Sequence, residues 1–222
     1  MSRFELHVHT MECDKAAHMG GADIVHYFQD RGYDGMVVTD HNFSIFDHWF
    51  ADELQGVDHQ GRTERWLKGY RAAREEGEKC GFTVLLGAEV RFEGKENDYL
   101  IYGIDEEFLF NAPPLSYLDG LEELVSILPK DACVVQAHPF REKMSIIDPS
   151  LVFGIEVKNA GTEPFRNDIA RLWAEHYQKP MTSGTDFHGL ERPFMGGIET
   201  DEPLRSMEDL LHTLKSGNYR LL

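Results

Sequence analysis

Short apolar runs rich in β-branched residues alternate with amphipathic stretches along this chain. "FELHVHT" reads as a strand and "ADIVHYFQDRG" as a helix stopped by glycine. "DGMVVTDH" predicts a second strand. "TERWLKGYRAAREEGEKCG" predicts one helix, with Thr63 as its N-cap and its end near Gly81. "FTVLLGAEVRF" and "DYLIYGI" predict two further strands. "LDGLEELVSILP" is helical and stops at Pro129. "ACVVQAHPF" and "VFGIEVKN" read as strands, "RNDIARLWAEHYQ" as a helix, "MTSGTDFHG" as a strand end and "SMEDLLHTLKSG" as a last helix. This alternation predicts an α/β fold with a largely parallel sheet. An open doubly wound sheet and a barrel fit it equally. No internal repeat or low-complexity linker interrupts it, so one domain spanning 1–222 is the simplest organisation.

Composition narrows the classes of function. Hydrophobic residues make up 41% and charged residues 27%, ordinary values for a globular protein. No run of about 18 apolar residues exists, so no membrane span is expected. The first residues lack a basic stretch followed by an apolar one, so no export signal is expected and the cytoplasm is the expected location. The formal net charge is −17. Binding to a long polyanion rests on a basic patch, so a nucleic-acid partner is not expected. Bound divalent cations would offset part of that charge at their own site. Cys13, Cys80 and Cys133 are scattered and form no CxxC pair, which points to a reducing compartment and no disulfide framework.

The strand ends carry the chemistry. His7 and His9 lie two apart on a strand and so point to one face. Asp40 and His41 end "VVTDH", Glu89 follows in "LLGAEV", His138 in "VVQAHPF", and Asp186 and His188 in "TSGTDFHG". These stations recur about every 30–50 residues, the spacing of successive β/α units in a barrel. In such a barrel the C-terminal strand ends meet at one mouth. A lone histidine at a strand end is more often a packed core residue. Five stations together favour metal binding. Imidazoles with carboxylates suit zinc, manganese or iron, and the number of candidates suits two or three ions. The remaining histidines fall on helical or loop stretches. His18 is the one near the opening motif.

"HVHT", "TDH", "GAEV", "AHPF" and "TDFHG", in that order, resemble the motifs of the PHP family, named for polymerase and histidinol phosphatase. The resemblance covers nearly the whole chain. It implies a distorted (β/α)7 barrel with up to three metal ions at the C-terminal ends of the strands, and phosphoester hydrolysis. Carried over by motif, His7, His9, Glu89 and Asp186 would hold a first metal. Glu89 would bridge to a second, also held by His138. Asp14, His41 and His188 would hold a third; many members have histidine where Asp14 stands. Members with three metals often carry another histidine between the glutamate and the HP motif, and "EVRFEGKENDYLIYGID" has none. Asp98 stands where it would be expected. It is either a substitute ligand or an exposed turn residue.

Two cations sharing Glu89 would generate a bridging hydroxide near neutral pH for in-line attack on phosphorus. His188 is the candidate to protonate the leaving oxygen, and Asp40 is expected to orient His41. Arg141 and Arg91 are candidates to hold phosphate, with surface ion pairs as the alternative role; Lys158 and Asn159 follow them. The expected function is hydrolysis of a small soluble phosphate monoester, such as histidinol phosphate, a nucleotide or another metabolite. The alternatives are a nuclease-type phosphodiesterase and a non-catalytic metal-binding regulatory module. The segment 42–62 is expected to be a loop that shapes specificity. Its Phe43, Phe46, Trp49 and Phe50 read either as a pocket wall or as a helix packed on the barrel.

Overall fold

The computed structural model describes residues 1–222. In chain order the elements are β1 (Ser2–Val8), α1 (Gly21–Gln29), β2 (Gly35–Val38), β3 (His41–Asn42), α2 (Ile45–Trp49), α3 (Ala51–Leu54), α4 (His59–Trp66) and α5 (Lys68–Cys80). There follow β4 (Thr83–Arg91), β5 (Asp98–Tyr102), α6 (Glu106–Asn111), α7 (Leu121–Ile127), β6 (Cys133–Gln136), β7 (Gly154–Asn159) and α8 (Pro164–His176). β8 (Met181–Gly184), β9 (Ile198–Thr200), α9 (Met207–Ser216) and β10 (Arg220–Leu221) complete the chain.

The strands lie in the order β10-β9-β1-β2-β4-β5-β6-β7-β8, and β3 pairs with β4. The sheet then curls nearly shut. Val8 bridges in parallel to Phe187, just past β8. His9 N donates to Phe187 O at 2.9 Å, and Phe187 N donates to His7 O at 3.1 Å. The strands from β1 to β8, β3 aside, therefore form a distorted seven-stranded barrel.

One departure from a parallel sheet matters for function. β5 runs antiparallel to both β4 and β6. Residues 92–97 join β4 to β5, far too short a link for a crossover helix. A reversed strand brings its first residue, Asp98, to the rim where its neighbours end.

The helical part also differs from expectation. The stretch expected as one helix is two, and Asp58, not Thr63, caps the first of them, α4: its side chain accepts from Gly61 N. Thr63 lies inside α4 and donates its hydroxyl to His59 O. The helix breaks at Leu67, and α5 ends at Gly81 in the left-handed conformation (φ 75°). Segment 42–62 is not a loop: α2, α3 and the start of α4 occupy it. Phe46 and Phe50 bury into the main hydrophobic cluster with Trp66, Tyr70, Val38 and Leu86. A second cluster joins Phe4, Leu6, Val37, Leu100 and Tyr102 to Leu210 and Leu214 of α9. No helix is long and apolar enough to cross a membrane.

Gly69 fixes how closely α5 docks onto the loop after β1. A Cβ there would sit 1.8 Å from Thr10 Oγ1 and 2.9 Å from Asp40 Oδ2. Thr10 and Asp40 are themselves locked, Thr10 N to Oδ1 at 2.6 Å and Thr10 Oγ1 to Oδ2 at 2.8 Å. Gly69→Ala is expected to destabilise the fold by about 1–3 kcal/mol through overpacking. The urea midpoint reads this directly. A midpoint at or above that of the parent would show that the helix slides freely here.

Candidate metal centre

Each candidate ligand owes its position to a strand or to the turn just beyond one. His7 lies in β1 and His9 just past it. Glu89 is inside β4, paired across to His41 of β3. Asp98 opens β5. His138 and Asp186 follow β6 and β8, and both hold left-handed backbone, at φ 28° and 51°. Such conformations are uncommon for non-glycine residues and mark a site where surrounding contacts override local preference.

These residues converge. His138 Nε2 and His41 Nε2 each lie 2.9 Å from a different oxygen of Glu89. His7 Nε2 and His9 Nε2 each lie 3.4 Å from those same two oxygens. Asp186 Oδ1 is 3.6 Å from His7 Nε2 and 3.4 Å from His9 Nε2. Asp14 Oδ2 lies 2.9 Å from His41 Nδ1 and 3.1 Å from His188 Nε2. Asp98 Oδ2 lies 3.8 Å from His138 Nε2. Four overlapping groups could each hold an ion: His9–Asp14–His41–His188, His7–His9–Glu89, His7–His138–Asp186 and Glu89–Asp98–His138. His9 thus belongs with the Asp14 group as well as with His7, a sharing that motif order does not reveal.

The hydrogen-bond pattern tests whether cations fit. His7 Nε2, both ring nitrogens of His9, Asp14 Oδ2, His41 Nδ1 and His138 Nδ1 are buried without a hydrogen-bond partner. Buried polar atoms are normally paired. Several of these approach carboxylate oxygens closely yet miss hydrogen-bond geometry. Nitrogen and oxygen lone pairs that face one another in this way suit a shared divalent cation.

Electrostatics in the metal-free chain agree. Burial opposes ionisation of Glu89, but His7, His138 and His41 outweigh it and hold the carboxylate well below its usual range. Burial likewise opposes ionisation of Asp186, and His7, His9 and Arg141 outweigh it. Burial and the neighbouring His41 and His188 push His9 well down. His7 goes the other way: Glu156, Glu89 and Asp186 overcome burial and raise it well above the ordinary imidazole value. His41 rises to about 10, its burial outweighed by Asp14 and Glu89.

Asp98 is buried, which rules out the exposed-turn reading. Its two oxygens accept from Arg91 Nε and Nη2, each at 2.6 Å. Arg141 is anchored inward: Nη2 reaches Asp186 Oδ2 at 2.5 Å and Asn159 Oδ1 at 3.1 Å, and Nε reaches Thr162 Oγ1 at 3.3 Å. Both arginines form ion pairs, each with a buried carboxylate of the candidate centre. Asp40 does not meet the His41 ring through a hydrogen bond. Its oxygens are taken by Thr10, and burial raises its pKa to about 7. His18 is exposed, and only its backbone touches the site, donating to His188 O at 2.8 Å. Lys158 sits over the Phe194 ring, 4.8 Å from its centroid.

Sequence reasoning missed three residues here. Glu156 is buried, with Oε1 3.0 Å from His7 Nδ1, while Oε2 accepts from His138 N at 2.8 Å and Asn159 Nδ2 at 2.9 Å. Glu5 is buried beneath it, accepting from Thr185 and the amides of Leu6 and His7. Burial raises the Glu5 carboxyl to about 7. Arg192 donates to Asp186 O at 2.7 Å. Carboxylates within the apolar strands "FELHV" and "GIEVKN" were the available signal. In the first, alternation places Glu5 on the face of His7 and His9.

No known family's sequence profile matches the chain, and no curated protein sequence does. Solved structures do. A two-domain protein from Bacteroides vulgatus, described as containing a predicted PHP-like metal-dependent phosphoesterase, aligns over 100% of this chain with a TM-score of 0.70 and 17% identity. This chain spans 64% of that protein's length. A candidate metal-dependent phosphoesterase from Bifidobacterium adolescentis aligns at a TM-score of 0.56 and 16% identity, over 96% of both chains. An amidohydrolase from Chromobacterium violaceum, with sulfate bound and no metal, aligns at 0.57 and 15%, over 100% of this chain and 98% of its own. The chain therefore has the fold of PHP-like metal-dependent phosphoesterases.

Proposed function

We propose that this chain is a metal-dependent phosphoesterase acting on a small soluble phosphate monoester. The observation that carries the reading is the set of buried imidazole nitrogens and carboxylate oxygens that face one another without hydrogen bonds. Two or three divalent ions, of zinc, manganese or iron, suit that donor set. His7, His9, Glu89 and Asp186 would hold one. Glu89, His138 and Asp98 would hold a second, and Asp14, His41 and His188 a third. When bound, such ions lower the pKa of water and neutralise charge on a phosphoryl group.

The chain's own residues supply the rest. Arg141 is held in place by Asp186, Asn159 and Thr162, which occupy its Nε and Nη2 hydrogens, so its Nη1 group is the part free to donate to phosphoryl oxygens. Arg91 is bound at both ends of its fork to Asp98, which suits a role in holding Asp98 beside His138. His188 Nδ1 lies 3.0 Å from Asp186 O and its Nε2 faces Asp14, so the ring is oriented as a ligand; a ligating nitrogen is not free to protonate the leaving oxygen, and we assign His188 the metal-holding role.

Metal-stripped protein is expected to be inert toward p-nitrophenyl phosphate. Adding manganese, zinc or iron should restore release of nitrophenol, and a chelator should abolish it. No turnover with any metal would sink the enzyme reading and leave a metal-binding regulatory module. Faster turnover of bis(p-nitrophenyl) phosphate than of the monoester would favour the phosphodiesterase instead.

A further inference from the structure

β7 outruns one of its neighbours before it reaches the site. β6 ends at Gln136, which pairs with Ile155, so the end of β7 has a strand partner only in β8. Buried backbone groups left over at such an end need another partner. Asn159 is fully buried there, and the first turn of α8 supplies the partner. Asn159 N donates to Asn167 Oδ1 at 3.1 Å, and Asn167 Nδ2 donates to Asn159 O at 3.0 Å. A side-chain amide thus takes the place of the missing strand. Ala170 and Ala174 pack against Ile155 and Val157 on the inner face of α8, and their small side chains let the helix come this close.

Asn159 passes that grip on to Arg141. Its Oδ1 accepts from Arg141 Nη2 at 3.1 Å and from Gly161 N at 2.8 Å. Thr162, which meets Arg141 Nε, hangs on Asn159 as well: its Oγ1 donates to Asn159 Oδ1 at 3.2 Å. Two of the three partners of the arginine fork therefore depend on where Asn159 sits. The next side chain on α8 works from the other side. Arg166 donates from Nη1 to Phe140 O, the carbonyl that precedes Arg141. Phe140 holds left-handed backbone at φ 69°, a conformation that needs outside support. There is little free space around the fork. A Cβ at Gly161 would lie 3.1 Å from Asp186 Oδ2, 3.2 Å from Arg141 Nη2 and 3.3 Å from Asn159 Oδ1. A shift of Asn159 or of Phe140 therefore carries to Arg141.

We propose that Asn167 and Arg166 are positioning residues for phosphate binding. Neither touches the substrate; together they aim the free Nη1 group of Arg141 at the phosphoryl group. The assignment rests on the phosphoesterase reading above.

A double-mutant cycle tests it, with manganese saturating so that altered metal affinity does not enter. Asn167→Ala is expected to raise KM for p-nitrophenyl phosphate about tenfold and to change kcat by less than about threefold. With Arg141→Ala already present, adding Asn167→Ala should change KM by less than about twofold, because the group it aims is gone. Arg166→Met should follow the same pattern, and it carries the test alone should Asn167→Ala fail to fold. An unchanged KM, or an equal loss with and without Arg141, would overturn the proposal and leave this turn of α8 as packing. Calorimetric binding of inorganic phosphate to the manganese-loaded protein repeats the cycle without turnover. Phosphate affinity that follows the cycle in a parent that hydrolyses no ester would overturn the phosphoesterase reading and retain the positioning role. A parent that neither binds phosphate nor hydrolyses an ester overturns both.

Discussion

Glu89→Gln is expected to cost about 10³-fold or more in kcat/KM and to reduce bound metal. The substitution keeps size and shape. It changes one oxygen to an NH2 group and removes a charge. Both oxygens are already committed: one faces His7 and His138, the other His9 and His41. Whichever way the amide turns, its NH2 meets two imidazole nitrogens and offers no lone pair to a shared ion. The groups built on His7 and His9 and on Asp98 and His138 lose their common member together. Metal content by mass spectrometry, alongside the hydrolysis assay, checks this. Full occupancy with full activity would remove Glu89 from the centre.

The loss of both groups at once distinguishes Glu89 from a peripheral ligand. Asp14 faces His41 and His188, with His9 in the same group, and belongs to none of the groups that contain Glu89. Its replacement leaves the Glu89 groups intact, so the two variants should differ in how much metal each retains.

The candidate ligand positions were legible because strand periodicity converts spacing into direction. "HVH" places two imidazoles on one face, and the later stations fall where β/α units end. The barrel itself was less legible, since the same alternation fits an open sheet. Closure rests on Val8 meeting Phe187, a contact between distant parts of the chain that no local pattern encodes. The reversal of β5 had a local signal in the short link over 92–97, but "YLIY" after Asp98 is hydrophobic throughout and carries no mark of its direction. The cleft of about 290 Å³ lined by Phe43, Phe46, Trp66 and Tyr117 was hidden for another reason. Phe43, Phe46 and Trp66 take part in both core and cavity, and residue type alone does not separate a wall from a packed face. Glu156 was hidden by its partners, because a buried carboxylate reads as an ion pair until the donors that hold it are known.

Glu156→Gln is expected to weaken metal binding about 10- to 100-fold while leaving the chain folded. Glu156 receives three donors: His7 Nδ1–H on one oxygen, His138 N–H and Asn159 Nδ2–H on the other. A glutamine oxygen best serves the last two, so its NH2 then faces His7. That forces His7 Nδ1 to accept and moves the ring proton to Nε2, the nitrogen beside Glu89 and Asp186. A protonated Nε2 cannot ligate. The opposite amide orientation keeps the tautomer but leaves His138 N–H and Asn159 without an acceptor. His138 then loses the bond that steadies its left-handed backbone, and Asn159 loses the anchor from which it holds Arg141. There is no room to escape by shifting β8. A Cβ at Gly184 would already lie 2.6 Å from Glu156 Oε1 and 2.5 Å from His7 Cβ. Titration of metal into stripped protein should show the weaker binding, and excess metal should recover much of the lost kcat. The thermal midpoint of the metal-free variant should fall only modestly. Unchanged metal affinity with an intact midpoint would show that His7 is oriented by its strand alone.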